Sequence, residues 1–500
     1  MSGDNLTNSI GIEQGIELFG AGTRQARRPR PSRTYHEAAR DIPVFAETDV
    51  LVVGGGPAGT AAAVAAGRLG ADVMLVERYN HLGGLSTGGL VIWIDRMSDW
   101  TGKQVIAGIA CDFLDRLPRD AVMGPARADW GSRDAATATY WRQRAAAHKG
   151  IVTWSPTIDP EALKTLSMQM VLEQKARLVF HSWAVQPIVE EGAMRGVIFE
   201  SKEGRQAVMA RIVVDTTGDA DMLARAGVPC EADIDAGDIH HCINTAFLLG
   251  GVDMERWLGF REREREAFSA LMESGRAAVG SFEKPFCSWR NDVALFMGPR
   301  LTGFSAVNVE DLSEVEVRSR ELMVGHLEFY RQHAPGFERA FLMLGAPQIG
   351  VRHSRRLVGS RKVTRAQWNQ GTVWDDEIGV STSLSPAIPN ISVPYGALVP
   401  VGLAGVLGAG RHVACDASSH SFLREIPQCW LTGQAAGVAA ALAAGSGTAP
   451  GALSPRLIQR ELLRQGAYLS PSIAAAASGL ADAISAPSAH EAKEPARQAS

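Results

Sequence analysis

Gly54, Gly56 and Gly59, in the run Gly54-Gly55-Gly56-Pro57-Ala58-Gly59, stand at a spacing with a definite chemical use. Such glycines let a chain turn sharply, approach a pyrophosphate with no Cβ in the way, and pack a helix against a strand. Phosphates would then lie at the N-terminus of the following helix, where unpaired N–H groups and the helix dipole favour negative charge. Glu77 sits about twenty residues further on, where a carboxylate can accept ribose hydroxyls and disfavour a 2′-phosphate. The stretch after it carries Arg78, Gly83, Gly84, Ser86 and Thr87, small or hydrogen-bonding residues that suit a loop lying along an extended ligand. Two more glycine-marked sites follow far downstream, at Thr217-Gly218-Asp219 and at Gly410-Arg411. A plain tight turn would account for any one of them alone.

These residues need strand ends and helix starts to hold them. The apolar run 49–53 reads as a buried parallel strand, 57–70 as an Ala-rich helix and 72–77 as a second strand, which together make one βαβ unit. A helix is expected over 160–176, and strands over 177–180, 184–189, 195–201 and 206–214, with turns at Glu191-Gly192 and Glu203-Gly204. Buried-strand character returns at 399–407, and an Ala/Gly-rich helix over 427–444 suits close packing on a sheet or ligand. The carboxyl ends of parallel strands are where such sheets bind ligands, so the three glycine sites fall where a ligand would. The expected division is a flexible arm over 1–40, which hints at homo-oligomer contacts, then the first part of the ligand-binding domain over 41–234. An inserted α+β substrate or cap domain follows over 235–392, the rest of the binding domain over 393–447, and a C-terminal helix with a disordered tail, from about 470, over 448–500.

Composition excludes several classes. Lys plus Arg total 50 against 54 for Asp plus Glu, a net charge of −4, which gives no electrostatic reason to expect nucleic acid or an anionic membrane as partner. The cysteines at 111, 230, 242, 287, 415 and 429 form no Cys-x-x-Cys pair, so iron–sulfur, zinc and dithiol readings lack support and no metal site is expected. Cys415 and Cys429 read as packing residues. No apolar stretch approaches the roughly 18 residues of a membrane span. The polar N-terminus does not resemble a secretory signal, so the expected location is the cytoplasm.

FAD and NAD share the glycine fingerprint, but three sites so far apart suit the longer cofactor. On Asp49–Gly59, Glu77, the Leu82-Gly83-Gly84 loop, Val213–Asp219, Val351–Val358, Pro394-Tyr395, Gly408–Arg411 and Gly433–Gly437, the chain resembles the FAD-dependent oxidoreductase family. That family lies within the glutathione-reductase-type flavoproteins, distantly similar to fumarate reductase flavoprotein subunits, and the resemblance spans about 42–445. It implies an α/β fold with a Rossmann-like FAD-binding domain, a β-meander and the inserted domain. By the same resemblance Gly54, Gly56, Pro57, Ala58 and Gly59 hold the pyrophosphate, Glu77 and Arg78 the adenosine, and Gly83, Gly84, Ser86 and Thr87 the pyrophosphate and flavin chain. Ala184 would meet adenine through its backbone, Thr217, Gly218 and Asp219 form a second wall, and Gly410 and Arg411 support the ribityl region. The helix opening near Arg424–Pro427, with Ile426 in its first turn, would aim its positive end at the pyrimidine edge of the flavin. Where related sequences read Arg-Glu-Ser-Arg, this one reads Arg352-His353-Ser354-Arg355, followed by Arg356. A second Gly-x-Gly-x-x-Gly is lacking.

FAD implies hydride transfer between a small organic substrate and flavin N5, coupled to proton movement by a side chain. Histidine titrates near neutrality and arginine clamps anions by two points. The catalytic candidates are therefore Arg352, His353, Arg355, His420 and Arg424, with His240-His241 beside them. The run 261–266, alternating Arg and Glu, reads as a solvated helix face. The alternatives are an electron-relay flavoprotein subunit serving a partner protein, and an NAD-dependent dehydrogenase. Substrate identity and electron acceptor are left open by the sequence.

Overall fold

The computed structural model describes residues 32–234 and 241–485, so most of the expected arm, His240 and the last residues of the tail lie outside the described residues. Residues 32–43 carry no regular secondary structure. The fold is mixed α/β. Its main sheet sets five strands side by side in the order Arg177–Val179, Val73–Val76, Val44–Val53, Gly204–Asp215 and Val406–Gly408, all parallel. Val50 to Val53 and Val73 to Val76 are buried, which is why both read as unbroken apolar runs: a parallel sheet is covered on both faces. The long strand Gly204–Asp215 has a double role. Its first half pairs antiparallel with Ala193–Ser201, which pairs in turn with Trp183–Glu190.

The helix Pro57–Arg68 starts on a proline whose fixed φ suits the first turn, and buries Ala58 through Ala66. It lies along the long helix Ile426–Ser446. A Cβ at Gly433 would overlap the carbonyl oxygen of Ala58, and one at Gly437 that of Ala62, so these two glycines allow the backbones to touch. The helix Pro160–Glu173 is capped by Asp159, whose carboxylate accepts from Glu161 N at 2.8 Å and Ala162 N at 3.4 Å.

Two expectations are corrected here. The strand expected over 399–407 shrinks to Val406–Gly408, because Pro400 has no N–H to donate and Gly402 and Gly405 turn the chain at φ +82° and +70°. The tail expected to lose structure from about 470 is instead a helix, Pro471–Ser485. Its Ala-rich run has high helix propensity. It packs on the helix Pro455–Arg464 with Ile473 and Ala477 buried, and Ser470 ties its start to both carboxylate oxygens of Glu377 at 2.6 and 2.8 Å.

Between these parts a second antiparallel sheet runs in the order Phe286–Cys287, Val293–Phe296, Phe247–Gly250, Phe341–Gly345. The helices Met254–Arg263, Arg265–Val279 and Val309–His333 accompany it. It has its own aromatic core around Trp257, Tyr330, Phe247, Phe296 and Phe337. Among the described residues no helix is long and apolar enough to cross a membrane.

Candidate active site

A cavity of about 1290 Å³ opens at the carboxyl ends of the parallel strands and extends under the second sheet. Val53, Val76, Thr216 and Ala409, each at or just past a strand end, share its wall. A typical single-ligand pocket holds about 300–1,000 Å³, so this one has room for a large cofactor and a second molecule.

The glycine turn is built by three different constraints. Gly54 takes φ +99° and lies against the backbone of Thr216, whose hydroxyl donates to Val53 O and Gly54 O at 2.8 and 2.7 Å. Gly59 faces inward, where a Cβ would overlap the Gly54 carbonyl oxygen. Gly56 faces outward, and a Cβ there would meet no protein atom within 4 Å. Gly54, Gly56, Pro57 and Ala58 line the cavity at the start of the first helix. Ile426, first residue of the long helix, lines it too, so two helix N-termini face one space. The turn is thus open where a side chain would close it, with room beside it for an anionic group.

Glu77, 6 % exposed, accepts from Gly55 N at 2.6 Å and from Tyr79 N at 2.8 Å. Its carboxylate thus braces the glycine turn and presents an edge to the cavity. Arg78 lies over the rings of Tyr79 and Trp183 at 4.9 and 5.1 Å, and Ala184 follows on the same wall. Gly84 lines the cavity with its φ at +49°, close-packed on Gly56. Gly83, Ser86 and Thr87 stand behind it: Gly83 N donates to Gly55 O at 2.8 Å, Ser86 Oγ to Gly83 O at 2.7 Å and Thr87 Oγ1 to Leu82 O at 2.6 Å. Their bonds hold the loop rather than face the cavity.

On the opposite wall Thr217, Gly218, Gly410 and Arg411 line the cavity. Arg411 donates to Gly218 O at 2.8 Å and pairs with Asp219 at 2.6 Å. Asp219 itself is buried behind them. Burial pushes its carboxyl up, but Arg411 and the Ser354 hydroxyl outweigh that and hold it below the usual range.

The five catalytic candidates separate. Arg352 and Arg424 line the cavity; His353, Arg355 and His420 stand behind its wall. His353 is fully buried, its Nε2 2.9 Å from Arg356, with ring centroids 5.3 Å from His241 and 4.9 Å from His420. Burial, then Arg356, lowers it to about 3. His420 is also driven well down by burial and by Arg424. Arg355 binds Asp219 O at 2.8 Å and Asp221 at 3.1 Å. These three act as struts. Arg424, by contrast, has a side chain 9 % exposed, lies 3.5 Å from Glu425 and leaves its Nε without a partner. Burial lowers it to about 10, so it stays cationic at neutral pH.

Four further residues complete this region: Trp93, Asp95, Arg96 and His148. Arg96 donates to Ser383 O at 2.9 Å and lies 4.8 Å over Trp100. His148 has a partnerless Nε2, its other ring nitrogen is engaged at Ala145, and burial, then Arg96, lowers it to about 4. The signal for Asp95 and Arg96 was present as two charges ending the apolar run 90–94. The run 261–266 is corrected as well. Glu264 breaks it between two helices, and Arg261 and Glu262 are half-buried at the cavity wall, while Arg263 to Glu266 are exposed and Arg265 pairs with Glu262. Cys429 also reaches the wall, but burial lifts its thiol to about 12, and Cys415 is lifted further, which leaves both as thiols.

The model of the family "FAD dependent oxidoreductase" matches residues 49–462. The chain is 28% identical to digeranylgeranylglycerophospholipid reductase 2 of Methanothermobacter thermautotrophicus over 264 residues, 49% of this chain and 60% of that protein. It is 27% identical to sarcosine oxidase subunit alpha of a Corynebacterium species over 264 residues, 46% of this chain and 26% of that one. The chain thus matches less than two thirds of the length of these relatives. Among solved structures it is similar to a geranylgeranyl bacteriochlorophyll reductase-like protein of Thermoplasma acidophilum, with 15% identity, 87% and 88% of the two chains covered and a TM-score of 0.43. It is similar also to p-nitrophenol 4-monooxygenase PnpA of Pseudomonas putida, with 13% identity, 87% and 88% covered and a TM-score of 0.41. With its family matched across most of its length and a glycine cradle at the strand ends, the chain belongs to the FAD-dependent oxidoreductase family and is an enzyme whose cofactor is FAD.

Proposed function

We propose that this enzyme moves a hydride between a small, oxygen-bearing, anionic organic substrate and FAD. In this reading the parallel sheet with its antiparallel extension is an FAD-binding domain of glutathione-reductase type, and the second sheet with its helices is a substrate cap. Gly54 to Ala58 and Gly84 would hold the pyrophosphate, Glu77, Arg78 and Ala184 the adenosine side, and Gly410 with Arg411 the ribityl region. A cytoplasmic location and a homo-oligomer belong to the same proposal.

FAD supplies the two-electron chemistry when bound. The chain supplies binding, orientation and proton handling. Arg424 keeps its charge out of water with Glu425 as near counter-charge, and Arg352 adds a second guanidinium beside it. Two guanidiniums sharing one carboxylate favour an incoming anion, which they can grip through paired N–H donors. His148 is neutral at pH 7, and its partnerless Nε2 can accept a proton or hydrogen bond from a substrate hydroxyl. Trp93 and Leu384 offer apolar walls that keep water from the reacting carbon.

The observation that carries this reading is Arg424 itself: a buried cation at the cavity wall with an Nε that no protein atom satisfies. The test is anaerobic mixing of the yellow holoenzyme with small hydroxy, keto and amino acids, following bleaching of the flavin. Bleaching by at least one of them, slowed in Arg424→Met, is the expected result. A flavin reduced only through a partner protein, and equally fast in Arg424→Met, would replace the proposal with the electron-relay alternative.

A further inference from the structure

Away from the glycine cradle the cavity runs on beneath the helix Arg265–Val279, between Phe282, Pro285 and Met272. Its charged lining there is unbalanced. Glu262 is shared by Arg142 at 3.1 Å and Arg265 at 3.0 Å. Glu283 lies 3.8 Å from Arg300, and Glu273 stands one turn from Arg276 on the same helix. Arg276 makes no ion pair among the described residues, and two further cations lack one as well. Arg261 donates to Gln143 O at 3.0 Å and makes no ion pair among the described residues. Lys284 has neither an ion pair nor a hydrogen bond among them; it lines the cavity, and the repulsion of Arg261 and Arg300 on it outweighs the attraction of Glu283. Cations that crowd a recess with too few counter-ions repel one another, and an anion in their midst relieves that.

We propose that Lys284 and Arg261, with Arg300 beside them, form a second anion-recognition site in the same cavity, built from different residues than Arg352 and Arg424. The substrate would then carry a carboxylate or phosphate head group there, joined to the reacting part by an apolar stretch lying along Phe282 and Met272. This rests on the reading that the cavity holds the substrate. It adds a substrate class: a molecule with an anionic group set apart from the carbon that reacts. Burial and the two arginines hold Lys284 below the ordinary lysine range, so its ammonium gains from any anion that approaches.

The experiment is calorimetric titration of the FAD-loaded full-length protein with octanoate, octyl phosphate and octanol. At least one of the two anions is expected to bind tenfold or more tightly than octanol, and the tighter one names the head group. Lys284→Met should remove that preference while octanol affinity and flavin content stay as they are. Equal binding of all three molecules would overturn the proposal. So would a preference that survives in Lys284→Met but disappears in Arg424→Met, since the head group would then sit at the flavin end. No turnover is read, so failure here is distinguishable from failure of the flavin-bleaching test.

Discussion

Gly56 and Gly59 offer one chemical change with two opposite outcomes. At Gly56 φ is −68°, which any residue adopts, and an added methyl meets no protein atom within 4 Å. Gly56→Ala should therefore cost the fold only what a poorer N-cap costs, about 1 kcal/mol, or roughly 1 °C in a chain of this size. In the proposed reading the same methyl stands where a phosphate approaches the backbone. Losing one hydrogen bond to a charged group is worth about 1.5–3 kcal/mol, or roughly a 10- to 150-fold weaker FAD. At Gly59 the methyl instead overlaps the Gly54 carbonyl oxygen, and overpacking of that kind costs typically about 1–3 kcal/mol through backbone displacement. Gly59→Ala should thus lower both stability and FAD affinity. The assay is thermal unfolding of the deflavinated proteins together with titration of FAD by its fluorescence. A Gly56→Ala protein that binds FAD as tightly as the parent would refute the assignment of that glycine edge to the pyrophosphate.

Other outcomes follow from the same geometry. Arg424→Met should slow substrate-dependent flavin reduction by roughly 30- to 160-fold, the scale of about 2–3 kcal/mol for a lost buried charge contact, and stopped-flow spectra should show FAD still bound. Glu77→Gln keeps one acceptor for two N–H donors, so the turn should loosen by about 1–3 kcal/mol, read as flavin released on gel filtration. Acid should destabilise the protein in a defined window. His81, His148 and His326 are each lowered to about 4, with burial the largest cause, so they are neutral in the fold and protonate more readily when unfolded. Their stabilisation is complete above about pH 6.5 and is lost as pH falls toward 4. A melting temperature flat across that range would contradict three buried neutral imidazoles.

The glycine turn was legible because its constraints are local. Strand, glycine turn, helix and Glu77 follow one another within thirty-odd residues, and each residue type has a backbone reason to be where it is. The catalytic side was not legible, since whether an arginine faces a cavity or a strut depends on partners far off in sequence. Arg352 and Arg355 are three residues apart, yet one reaches the cavity and the other turns to Asp219. Ser86 and Thr87 look like ligand donors, but carbonyls in their own loop take their hydroxyls. Trp93 and His148 come from loops and two-residue strands, which leave no periodic trace to read. The terminal helix was missed because an Ala/Ser-rich composition fits a solvated tail as well as a helix that finds a neighbour to lean on.

The strand Gly204–Asp215 makes one further demand, and it falls on the order in which the chain is made. Its parallel neighbours are Val44–Val53, drawn from near the beginning, and Val406–Gly408, which leaves the ribosome some two hundred residues later. Until then a nascent chain carries a sheet margin of bare amides and carbonyls with nothing to cover it, a template for pairing with other chains. Contacts this distant in sequence also slow folding. Truncation ahead of residue 406 should therefore yield insoluble material, whereas chains that reach past the long helix can close the margin themselves.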